Sequence, residues 1–121
     1  MPKDPERAAM LLDISTTTPE RIEGILACGL TEGQIGLACG VSSNLVARWG
    51  RGESVPQPRQ KIRLSDLRSL CLLAIEISRY RLGIAGKLLI NLKVPELLAR
   101  GHFSDAEIAL YNLRSRRSTV G

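Results

Sequence analysis

The sequence predicts an all-α protein, and three observations carry that prediction. Aromatic residues are few, namely Trp49, Tyr80, Phe103 and Tyr111, and the remaining apolar residues are mostly Leu, Ile, Val and Ala. Such a core suits helices better than a β-sandwich, whose strands favour aromatic and β-branched residues. Apolar residues recur at helical spacing, and capping residues and glycines punctuate the chain at helix-length intervals. With 121 residues, 44% of them hydrophobic, the chain has the size and composition of one globular domain. It divides into an N-terminal arm or short helix over 1–17, a helical unit over 18–58, and a second helical region over 59–121 that ends in a basic tail.

Within 1–17 the chain mixes charges with an apolar patch at 8–12 and a Ser-Thr-Thr-Thr run. At Thr18-Pro19-Glu20 a helix start is signalled. Thr18 can accept a bond from a free backbone N–H, Pro19 suits the first turn, and Glu20 complements the positive helix end. This helix is expected to run to about Cys28 and stop at Gly29, with Ile22, Ile25, Leu26 and Cys28 on one face. Thr31 with Gln34 three residues on forms a capping-box pattern, so a second helix is expected over 32–39 with Gly40 at its end. Ser42 or Ser43 caps a third, which carries Leu45, Val46 and Trp49. It ends at about Arg51 before Gly52, and Pro56 and Pro58 follow.

Two short helices joined by a glycine-containing turn form a helix-turn-helix pattern. Ile35, Cys39, Val41, Val46 and Trp49 are its expected small core, and Gly36 lets the helices approach. The other side of the third helix carries Ser43, Asn44, Ala47, Arg48 and Arg51, of which 44, 47, 48 and 51 share one face. Asn44 suits a bidentate bond to adenine, and Arg48 or Arg51 suits guanine or phosphate. Ser42 and Ser43 suit helix capping or phosphate. Leu45 is left between partial burial and a thymine methyl.

Charge is unevenly spread. Residues 1–40 hold three basic and six acidic residues, while the remaining 81 hold fourteen and six, so the first stretch repels polyanions and the second attracts them. Arg59, Lys61, Arg63 and Arg68 stand close behind the third helix, and a strip of this kind would lie along a phosphate backbone.

Residues 30–52, with Pro56 four residues later, resemble the Xre family of helix-turn-helix DNA-binding proteins, a likeness that covers about 19–58. It implies double-stranded operator DNA as partner, with Ser42, Ser43, Asn44, Ala47, Arg48 and Arg51 in the contact set, to which the basic strip adds Arg59, Lys61 and Arg63. Relatives commonly have glutamine where this chain has Glu32.

From Ser65 a longer helix is expected. Residues 70–77 are apolar nearly all round, which predicts cover on several sides, by a homodimer or partner interface in so short a chain, with simple burial within the chain as the alternative. Leu88, Leu89, Pro95, Leu97, Leu98 and Gly101 precede a final helix that begins at a Ser104–Glu107 capping box. Phe103, Ile108, Leu110, Tyr111 and Leu113 are its expected apolar positions. This order looks like antitoxins of the Xre/MbcA/ParS group, which implies a bacterial or phage-encoded protein that represses its own operon and grips a cognate toxin. Arg114, Arg116 and Arg117 close the chain as a basic cluster.

Three cysteines at wide spacing and one histidine suggest free core thiols, with no metal site and no cofactor. No phosphate loop, metal-ligand spacing or nucleophile set is visible, so an enzyme is not expected. The longest apolar run, Leu70 to Ile75, is far below the ~20 residues that span a bilayer, and no charged-then-apolar segment opens the chain. A cytoplasmic location follows as an expectation. The leading reading is a dimeric, sequence-specific transcriptional repressor. The alternatives are a phage-type immunity repressor and a protein-interaction adaptor, the latter favoured by Glu32 and the acidic first forty residues.

Overall fold

A computed structural model describes residues 4–120, and side chains as far as 115. Eight helices and no strands are found among the described residues: α1 (Pro5–Leu11), α2 (Thr18–Ala27), α3 (Glu32–Cys39), α4 (Ser43–Gly50), α5 (Pro58–Ile77), α6 (Leu82–Asn91), α7 (Val94–Ala99) and α8 (Phe103–Val120). The all-α class therefore stands. No helix among them is long and apolar enough to cross a membrane.

Local chemistry sets most of the ends. Thr31 accepts the Gln34 N–H through its hydroxyl, at 3.2 Å, while the Gln34 side chain takes the Thr31 N–H at 2.9 Å. Both directions of the capping box are made at the expected residues. Thr31→Ala should cost about 1 kcal/mol, read as a lower urea midpoint with unchanged slope. At α2 the cap is Thr17, not Thr18. The Glu20 carboxylate bonds both the Thr17 N–H and its hydroxyl, and Thr18 and Pro19 then fill the first turn. Those same bonds hold the Glu20 carboxyl below the usual glutamate range.

The long helix starts at Pro58, seven residues before the expected Ser65. Proline lacks the N–H that a first helical turn leaves unpaired anyway, so it opens this helix instead of blocking it. Gln60 secures the start by accepting the Gln57 N–H at 2.8 Å.

Helix α5 is the axis on which the rest is assembled, and α1, α2, α3, α6, α7 and α8 all pack against it. Leu70, Cys71, Ala74, Ile75 and Ile77 are buried, and Leu72 and Leu73 are half-buried against the same core. The apolar run of α5 is thus buried within the chain, the second of the two readings of that run. Cover comes partly from α1, whose Ala8 and following Leu11 and Leu12 are buried. A single apolar cluster links residues from Ala8 to Leu110, so 1–17, 18–58 and 59–121 share one core.

In α8 the inward positions are Ala106 and Leu110, with Phe103 and Leu113 half-buried, whereas Ile108 and Tyr111 are exposed. Apolar spacing alone admitted both sets. The final basic cluster is no loose tail as far as it can be followed. The helix runs on through Val120, and Arg114 is ion-paired to Glu76 of α5 at 3.4 Å. The side chains of Arg116 and Arg117 lie outside the described residues.

The three thiols are free. Cys28 and Cys71 meet in the core, where their mutual hydrogen bond and burial push the Cys71 thiol well above the usual range. No group of three or more His, Cys, Asp or Glu that could hold a metal occurs among the described residues.

Candidate nucleic-acid interface

Helices α3 and α4, eight residues each, are joined by Gly40, Val41 and Ser42. Gly40 sits at φ +73°, a left-handed conformation that closes α3 at low cost only without a Cβ. The Val41 N–H then donates to the Gly36 carbonyl at 2.9 Å. A Cβ on Gly36 would lie 2.5 Å from the Val41 oxygen, so this glycine is what allows the turn to fold back onto α3. Ser42 caps α4, its Oγ accepting the Leu45 N–H at 3.2 Å.

Behind α4, Val46 and Trp49 are completely buried with Ile35, while Cys39, Val41 and Leu45 are half-buried against them. Leu45 is therefore a packing residue. The opposite face holds the predicted set. Ser43, Asn44, Arg48 and Arg51 are exposed and Ala47 is half-buried.

The two arginines there differ. Arg51 is clamped by Glu53 in a bidentate pair, Nε and Nη2 each 3.0 Å from a carboxylate oxygen. That pairing raises the Arg51 pKa and lowers that of Glu53. The Glu53 N–H also binds the Arg48 carbonyl at 2.9 Å, which fixes the turn after α4. Arg48 has no side-chain hydrogen bond or ion pair among the described residues. It and Asn44 stand one helical turn apart, four residues along the sequence.

Ala47 and Arg51 border an open groove of about 380 Å³ whose other wall carries Glu20 and Glu23 of α2 and Glu32 of α3. This acidic groove was not anticipated as a feature. Its residues come from three helices, and its traces in the sequence are the acidic balance of the first forty residues and Glu32.

The predicted basic strip is split. Arg59 and Lys61 are exposed and Arg63 is half-buried. Arg59 and Arg63 line a cleft of about 520 Å³ with Gln57 and Gln60, against Cys39 and Gly40 at the end of α3 and Ala99 of α7. Lys61 lies outside this lining. Burial pushes the Cys39 thiol up to about 12, against the opposing field of Arg63, so it stays protonated at neutral pH. Arg68 leaves the strip altogether. Its guanidinium donates to the Leu12 carbonyl at 3.4 Å and to Ser69 Oγ at 3.3 Å, tying α5 to the segment after α1.

In the second half, Leu89, Pro95 and Leu98 are buried and Leu88 and Leu97 half-buried, so most of the residues there that predicted a partner surface serve the core. Comparison with family models, curated proteins and solved structures finds no match to this chain.

Proposed function

We propose that this protein is a sequence-specific DNA-binding transcriptional regulator, a dimeric repressor, with α3 and α4 as its helix-turn-helix and α4 as the recognition helix. One observation carries the reading. Asn44 and Arg48 are exposed on α4 with no side-chain hydrogen bond or ion pair among the described residues, while Val46 and Trp49 on its other side are fully buried. Side chains at the start of such a helix reach base edges in the major groove, and asparagine and arginine are the types suited to adenine and guanine. Arg59 and Lys61 supply phosphate contacts beside it. Arg51, already engaged by Glu53, contributes less than Arg48. A dimer would present two copies of α4 to successive turns of DNA, about 34–36 Å apart.

The test is a gel-shift titration on the DNA upstream of the protein's own gene. Arg48→Ala should weaken the specific complex by roughly 5- to 150-fold, the equivalent of the ~1–3 kcal/mol of one good base contact, with an unchanged melting temperature. Unchanged affinity in a fully helical variant removes Arg48 from the interface. Sedimentation at micromolar protein tests the dimer. The order of elements, two short helices joined by a glycine turn, then the long α5 and the shorter helices α6 and α7 before α8, further supports an autorepressing antitoxin. Copurification with the product of the neighbouring gene checks it, and failure to bind or inhibit that product removes it.

A second reading, a protein-binding adaptor, is favoured by the groove beside α4, where Glu20, Glu23 and Glu32 oppose phosphate. Equal, weak binding to every duplex would select it.

A further inference from the structure

Four helices of this chain pass into a glycine with positive φ. Gly29, Gly40, Gly52 and Gly101 follow the ends of α2, α3, α4 and α7. The residue there must be left-handed, and glycine takes that conformation without the steric cost of a Cβ. Helix α5 ends differently. The Tyr80 N–H donates to the Ile75 carbonyl at 2.8 Å and the Arg79 N–H to the Glu76 carbonyl at 3.1 Å, the paired bonds of a Schellman cap. Yet the left-handed position is Arg79, at φ +56°, and Tyr80 after it is also left-handed, at φ +65°. The end of α6 makes the same choice once, with Lys93. Glycine would take this conformation at lower steric cost, so Arg79 and Tyr80 are held in a turn that their side chains make more expensive.

That side chain is exposed, as are Tyr80 and Arg81. Neither guanidinium has a hydrogen-bond or ion-pair partner among the described residues. Beneath them Ser78 is buried, its Oγ bonded to the Ile75 carbonyl at 2.9 Å, so the turn is held from below. Helix α8 runs alongside α5 in the same direction. Gly101 lies by Arg63 near the start of α5, and Arg114 pairs with Glu76 near its end. Arg114 therefore joins Arg79 and Arg81 at this pole, where Glu76 is its carboxylate partner. The pole is separated from the α4 end of the molecule by the length of α5, 20 residues or about 30 Å.

We propose that the Arg79-Tyr80-Arg81 turn is a second, sequence-independent contact for the phosphate backbone of duplex DNA. The turn belongs to neither cleft described above. It presents consecutive arginines around a tyrosine on fixed backbone, and arginine forks suit phosphate oxygens. A repeating polyanion offers such groups at every position, whereas an acidic peptide needs a groove to be held in register. This contact needs no base reading by α4 and stands apart from it.

The decisive variant is Arg79→Gly combined with Arg81→Ala in the full chain. The glycine removes the left-handed strain, so the melting temperature should stay level or rise. Affinity for a labelled random-sequence duplex should nevertheless fall, roughly three- to tenfold, and the slope of log K against log salt should flatten by about 2, one for each lost phosphate contact. Arg79→Lys, which keeps the charge but not the fork, should leave the salt slope unchanged and lose less affinity than the double variant. The ratio of operator to random binding should be unchanged by the double variant and collapse in Arg48→Ala, so a failure of the α4 reading is seen in the ratio and a failure of this one in the absolute random-duplex affinity. A folded double variant that binds random duplex as tightly as the unaltered protein overturns the proposal. So does a result in which the double variant loses affinity for polyglutamate alone, which would assign the turn to an acidic protein.

Discussion

Gly36→Ala is expected to destabilise the protein by about 3 kcal/mol, the upper part of the range for forcing extra volume into a packed site. The added Cβ would fall 2.5 Å from the Val41 oxygen and 3.3 Å from the Ser42 carbonyl carbon, both backbone atoms with no rotamer by which to escape. Relief requires the turn to lift off α3, which breaks the Val41 to Gly36 bond and tilts α4. The companion Gly33→Ala lies in the same helix, where a Cβ would meet nothing nearer than Thr31 Oγ1 at 3.7 Å. It should stabilise by about 0.5–1 kcal/mol, because alanine loses less backbone freedom on folding than glycine does. Urea unfolding of the two variants checks both signs at once. If Gly36→Ala melted with Gly33→Ala, the close approach of turn and helix would be refuted. DNA affinity should fall with the first variant and hold with the second, since α4 owes its angle to that turn.

Trp49→Ala is expected to cost about 3–5 kcal/mol, the usual range for deleting a fully buried large aromatic. Trp49 heads the fully buried side chains by volume, and it packs where α4 meets α2 and α3. Its indole N–H has no hydrogen-bond partner among the described residues, so the loss is one of packing, and Trp49→Phe should be milder because no bond goes with it. Against a typical domain stability of about 5–15 kcal/mol, the alanine variant is left marginal. Chemical denaturation followed by far-UV circular dichroism reads the difference. A small loss, under about 1 kcal/mol, would mean that Trp49 does not hold α4 in place.

The parts of this structure that were legible in advance are those whose energetics are local. Thr31 with Gln34, Ser42, Gly40 and Gly52 act within a few residues, so a helix start or stop could be read from the letters around it. The error at Thr17 and Thr18 has the same origin seen from the other side. Either threonine can cap, and the choice is made by where the Glu20 carboxylate reaches. Pro58 is ambiguous in a sequence because proline both ends and begins helices, and which it does depends on whether a helix follows.

Side-chain partners and surface allocation were not legible. Arg51 and Arg48 look alike in a sequence, yet only Arg51 is held by Glu53. Arg68 sits in a run of cations but bonds Leu12, 56 residues away. Ile108 and Tyr111 fit the apolar spacing of α8 as well as Ala106 and Leu110, and only the position of α5 decides which pair faces inward.

By itself the chain determined an all-helical protein, most of the caps, and the polar side of α4, because hydrogen bonds over three or four residues and a 3.6-residue period do not depend on distant neighbours. The tertiary structure alone decided that α5 is covered by its own chain, that three glutamates from two helices gather beside α4, and that α8 runs beside α5 to bring Arg114 to Glu76. Each of these is a meeting of residues far apart in sequence. Such meetings follow from how the helices bury their apolar faces together, a property of the whole assembly that no short stretch of sequence contains.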